Sequence, residues 1–142
     1  MEVSAVRQQV LQAIERAKRT AAERRAANDE AAREYSVFLD RIAAPIFRQV
    51  ANILRAEGYL FNVFTPGGSV RLMSDRSADD FLELVLDTTG EAPTLAGRTS
   101  RTRGHRTIVA EQALNPSVAI RDLTEDDVLT FLLKALEPFV EK

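Results

Sequence analysis

At 142 residues, 45% apolar and 28% charged, the chain can bury one core, and it falls outside the collagen-like, membrane-spanning and wholly disordered classes. It contains no cysteine, which removes disulfide frameworks, thiolate metal sites and thiol nucleophiles from consideration. The formal net charge of -2 hides an uneven distribution: residues 98–106 carry four arginines and no acid, so any attraction to a polyanion is local.

Residues 1–10 lack the continuous apolar stretch of a signal peptide, and no segment approaches the roughly 18 apolar residues of a spanning helix. The expectation is a cytoplasmic protein with no membrane partner. From Val3 to Ala44 there is neither glycine nor proline, and alanine, glutamate, arginine and glutamine dominate, which predicts one long helix or two nearly continuous ones. Its first turns carry an apolar stripe, Val3, Val6, Val10 and Ile14, at the spacing of a face that packs on something. Between Ala17 and Ala32 the apolar residues are only alanines, and oppositely charged pairs such as Glu15 with Arg19 sit four apart, as on an exposed helix. Residues 1–34 are therefore read as a helical arm and residues 35–142 as one α+β domain.

From Tyr35 the helical face thickens through Phe38, Leu39, Ile42, Ile46, Val50, Ile53 and Leu54. Pro45 within this run predicts a kink or a fresh helix start, and Gly58 a C-terminal cap. The period then changes to that of strands. Tyr59 to Thr65 and Ser69 to Asp75 flank Pro66-Gly67-Gly68, a hairpin in which a type II turn would set Val63 opposite Val70 and Phe61 opposite Leu72. Phe81 to Asp87 is a third strand, with Leu82, Leu84 and Leu86 inward and Glu83 outward. A loop is expected from Thr88 to Gly104, a fourth strand from His105 to Gln112, and a short fifth over Val118 to Ile120.

The C-terminal helix has the clearest start, with Thr124 and Asp127 in a capping box and Leu123 and Val128 as a hydrophobic staple. Two apolar rows follow, one through Val128, Leu132, Ala135 and Phe139, the other through Leu129, Leu133, Leu136 and Val140, which suggests a helix covered on two sides. The predicted fold is α+β: a long N-terminal arm, a second helix, a four- to five-stranded mostly antiparallel sheet, and the C-terminal helix packed on one sheet face.

Three constellations invite a functional reading. The segment holding Arg98, Arg101, Arg103, His105 and Arg106 alternates arginine with small hydroxyl residues, which suits phosphate or nucleic-acid contact, with Lys18, Arg19, Arg24 and Arg25 of the arm as further candidate contacts; a solvated surface loop explains it too. No aromatic residue in it could stack on bases. The acids Asp75, Asp79, Asp80, Glu83 and Asp87 cluster around one strand turn but lack a metal-loop spacing, and the single histidine, His105, has no second one with which to hold zinc. No cofactor or metal is expected, and an enzyme would have to rest on carboxylate and arginine groups alone. The third constellation is the arm, where Val3, Val6, Val10 and Ile14 suit a partner helix or a second copy, unless they fold back on the chain's own core. The expected function is a small non-catalytic interaction protein that self-associates or docks through this arm.

Overall fold

A computed structural model describes residues 2–141. Helix α1 runs from Val3 to Phe38, a π-helical turn from Leu39 to Ala43, and α2 from Ala44 to Ala56. Five strands follow, β1 (Phe61–Phe64), β2 (Ser69–Ser74), β3 (Phe81–Asp87), β4 (Thr94–Arg103) and β5 (Arg106–Ala113), then a 3-10 turn (Ile120–Asp122) and α3 (Glu125–Val140). The strands form one antiparallel meander in the order β1-β2-β3-β4-β5. The chain is thus α+β, as its periodicities predict.

Pro45 stands in the first turn of α2, where a fresh helix start would put it, but no non-helical residue separates α2 from the turn before it. Proline has no N–H and its ring crowds the preceding turn. The helix widens just before it: the Ala44 N–H donates to the Leu39 carbonyl, one residue further back than an α-helical bond, and helical backbone angles persist through Ala43 and Ala44. A π-bulge absorbs the missing donor and lets the chain continue. Gly58 then ends α2 with a positive φ of 91°, and the Tyr59 N–H reaches back to the Leu54 carbonyl.

One face of the sheet carries Phe61, Val70, Leu72, Leu82, Leu84 and Leu95, all buried. Helix α2 covers this face over β1 and β2, and α3 covers it over β3 and β4. Strand β5 lies beyond both helices and is exposed along its whole length. The start of α3 closes as its sequence promises, with the Asp127 carboxylate accepting the Thr124 backbone N–H at 2.8 Å. That bond, with help from the Asn115 amide and the Thr124 hydroxyl, holds the Asp127 carboxyl below its usual range.

Four expectations need correction. The β1–β2 register is Val63 opposite Leu72 and Phe61 opposite Ser74, two residues from the predicted pairing. The Ser69 N–H donates to the Pro66 carbonyl at 2.9 Å, so the turn centres on Gly67 and Gly68, and Gly68 takes the positive φ (78°). A two-residue shift preserves the face of every side chain, which is why the inward and outward assignments survive it. Second, most of the predicted loop Thr88 to Gly104 is strand β4, and His105 sits in the two-residue turn to β5, behind Gly104 with its φ of 65°. Third, Val118 to Ile120 adds no strand: Asn115 enters the left-handed region (φ 39°) and the chain turns into the 3-10 segment, whose Ile120 is buried. Fourth, one member of the second α3 row faces outward: Leu133 is 57% exposed, whereas Leu136 of that row is buried and Leu129 and Val140 pack against the core.

Strand β4 escapes sequence reading because Leu95 is the only large apolar residue on its inward face. At Gly97 the ring of Phe131 lies directly on the backbone: a Cβ there would meet ring carbons at 2.3 to 2.8 Å. Phe131 from α3 thus supplies the apolar bulk that the strand lacks. Gly97→Ala should destabilise the fold by about 1 to 3 kcal/mol through overpacking. Much of that loss should return when Phe131 is also cut to alanine, because the two changes share one space. Urea melts of the single and double variants check this, and simple additivity of the two losses would refute the close approach.

Candidate functional site

Helix α1 meets the rest of the protein only near its C-terminal end. Ala31, Tyr35 and Phe38 are its buried residues, and residues 2–27 are all exposed. The Tyr35 hydroxyl donates to the Leu84 carbonyl at 3.1 Å, inside the core. Burial there, reinforced by the negative charge of Glu83, pushes the Tyr35 phenol well above its ordinary pKa. The end of α1 also packs against the Ile120–Asp122 turn. From this anchorage about 28 residues of helix, or about 42 Å, extend away.

The predicted stripe lies on that projecting part. Val3, Val6, Val10 and Ile14 are 85%, 42%, 51% and 44% exposed, and Leu11 beside them is 50% exposed, so the fold-back reading does not hold in this structure. At 100° of rotation per residue the stripe stays within about 60° of Tyr35, as do Ala17, Ala21, Asn28 and Ala31. One straight face of α1 therefore presents its apolar stripe at the free end and docks on the domain at the other.

The arginine-rich segment is divided by strand alternation. Arg98 points to the open face of the sheet, where its Nε donates to Glu111 at 3.0 Å. Arg101 and Arg103 point to the opposite face, and Arg106 stands directly across from Arg103. His105, at the turn, is exposed. Among the described residues no ion pair engages Arg101, Arg103 or Arg106, so the hairpin tip presents three guanidinium groups on one face. Arg98 instead belongs to a cross-strand row, Arg71, Glu83, Arg98 and Glu111, on neighbouring strands. Glu83 stands on the face predicted to be solvated, yet it is only 4% exposed. The Arg71 guanidinium reaches it at 2.8 Å while resting 4.1 Å over the Phe81 ring, and the Ser69 hydroxyl adds a contact at 3.4 Å.

Of the acids near the strand turn, Asp75, Asp80 and Asp87 are engaged separately. Asp80 accepts the Thr102 N–H at 2.6 Å, Asp75 accepts the Asn62 amide, and Asp87 accepts the Thr89 N–H and hydroxyl at 2.9 and 2.6 Å. These bonds hold the Asp87 carboxyl below its usual range, the Thr89 hydroxyl contributing most. Among the described residues no three histidine, cysteine or carboxylate side chains converge as a metal cage would require. An open cleft of about 310 Å³ lies between the α2–β1 connection and the Ser74 to Asp80 turn, with Tyr59, Arg76 and Phe139 among its walls. Two of its polar groups already serve the turn: Ser74 accepts the Arg76 N–H, and Asp80 holds Thr102.

No helix among the described residues is long and apolar enough to cross a membrane. Comparison with protein-family models, with curated proteins and with solved structures finds no match to the chain.

Proposed function

We propose that this is a non-catalytic interaction protein that associates with itself through the exposed stripe of α1. The observation that carries the reading is the exposure of Val3, Val6, Val10 and Ile14 on a helix that is exposed throughout residues 2–27. An isolated helix is marginal in water, and most helical stability in proteins comes from burying an amphipathic face. A second arm would provide that burial. The alanines that follow the stripe allow close approach of two backbones, whereas a helix meant only as a solvated spacer gains nothing from valine and isoleucine in one line.

Sedimentation of the full chain at micromolar concentration should show an oligomer, and the triple variant Val6→Gln, Val10→Gln, Ile14→Gln should sediment as a monomer with an intact domain. The three side chains make no contact with the core, so the substitutions leave the sheet and α3 unchanged. Circular dichroism should show arm helicity falling on dilution in the parent chain. A parent chain that stays monomeric at these concentrations would sink the reading.

A further inference from the structure

We infer that two copies pair through their arms in antiparallel fashion, with residues i and j opposite each other when i and j sum to 27; the inference rests on the self-association reading. Three features of the molecule select this arrangement. The first is steric. The stripe lies on the same face of α1 as Ala31, Tyr35 and Phe38, which dock on the sheet and on the Ile120–Asp122 turn. Two parallel arms joined along that face would therefore aim both domains into the same space at the seam. In the antiparallel pair each domain sits beyond the other arm's tip, because Ala31 of either copy falls past Glu2 of its partner. The overlap spans residues 3–24, wholly inside the exposed stretch.

The second feature is volume. The antiparallel register sets Val6 against Ala21, Val10 against Ala17 and Ile14 against Ala13, so each large side chain meets a small one. A parallel register stacks valine on valine at one end and alanine on alanine at the other, which leaves voids along the alanine half.

The third feature is charge. Arg24 lies on the stripe face, about 20° from the line of Tyr35. In a parallel pair the two Arg24 side chains would meet across the seam, and like charges in that position repel. In the antiparallel pair Arg24 arrives beside the exposed Glu2 and Val3 of the second copy, where the carboxylate neutralises it. The dimer has this ion pair twice, once at each end, which fixes the register as well as the direction.

The absence of cysteine makes the test direct, since a single introduced residue is the only thiol in the chain. Val6→Cys and Ala21→Cys are prepared separately in the full-length protein, one carrying a mass tag, and treated with a short bismaleimide. Antiparallel pairing yields cross-linked product only in the mixture of the two variants, because Val6 of one copy lies about 22 Å along the axis from Val6 of the other. Self-cross-linking of each variant alone would establish parallel pairing and overturn this inference while leaving self-association standing. An oligomer that cross-links in neither experiment would also overturn it. A monomer by sedimentation removes both readings together. A charge exchange supplies the second measurement: Arg24→Glu should weaken association roughly two- to fivefold per ion pair, and Glu2→Arg in the same chain should restore it. Failure of restoration would remove the proposed register.

Discussion

Phe47→Ala should lower the unfolding free energy by about 3 to 5 kcal/mol, the largest loss expected of any single truncation in this protein. Phe47 heads the large side chains that are fully buried, at 0% exposure, and it sits on the inner face of α2 with Ala44, Val50, Ala51 and Leu54. The helix around it is what covers β1 and β2. Removing the ring forfeits the transfer of its apolar surface and leaves a void that neighbouring alanines are too small to fill. Total stability for a domain of this size is about 5 to 15 kcal/mol, so the variant should stand near the edge of folding. Urea denaturation followed by circular dichroism would measure it. A loss below about 1 kcal/mol would mean that α2 does not pack on the sheet as described.

The second large effect separates two adjacent leucines. Leu132→Ala should cost about 2 to 5 kcal/mol, and Leu133→Ala no more than about 0.5 kcal/mol, because the first is fully buried and the second is 57% exposed. Leu136, at 7% exposure, should behave like Leu132. Thr124→Ala should fall between them at about 1 kcal/mol, since it weakens a cap without opening a cavity. Chemical composition cannot produce such an ordering, as the two leucines are identical in kind. If the two adjacent truncations cost the same in urea melts, the orientation of α3 on β3 and β4 would be wrong.

Much of the architecture is legible in the sequence where the signal is local. The arm is read from its unbroken helix formers, the end of α2 from Gly58, the start of α3 from Thr124 and Asp127, and the first three strands from alternation and the glycine pair between β1 and β2. Side-chain direction in a strand depends only on parity, so Leu82 and Leu84 face inward as predicted even though the hairpin register differs by two. The stripe Val3, Val6, Val10 and Ile14 is likewise a local pattern, and its helical periodicity survives unchanged in α1.

The arginine segment shows where local reading ends. Residues 98–106 look like a loop because no large apolar side chain alternates through them, yet most of them belong to the longest strand of the sheet. As a loop they would form one flexible cationic cluster. As a hairpin they divide by parity, with Arg98 paired to Glu111 on one side and Arg101, Arg103 and Arg106 on the other. The burial of Glu83 escapes the sequence for a related reason: its outward direction is legible, but the Arg71 guanidinium that covers it comes from the neighbouring strand.

The sequence by itself therefore determines which segments are helical, where α2 and α3 begin and end to within a few residues, which face of β3 is apolar, and that the arm carries a stripe its own composition cannot bury. These properties depend on backbone propensity, capping and side-chain period, all of which act within a few residues. Only the tertiary structure decides that Gly97 belongs to a strand, because the bulk that makes it one is the Phe131 ring from α3. Only it decides that Leu132 and not Leu133 is core, that the backbone passes Pro45 through a π-bulge, and that the stripe of α1 lies in line with the face on which Tyr35 docks. Each of those outcomes depends on a surface contributed by residues distant in the chain, and close packing selects among locally equivalent choices by which one leaves neither a void nor an overlap.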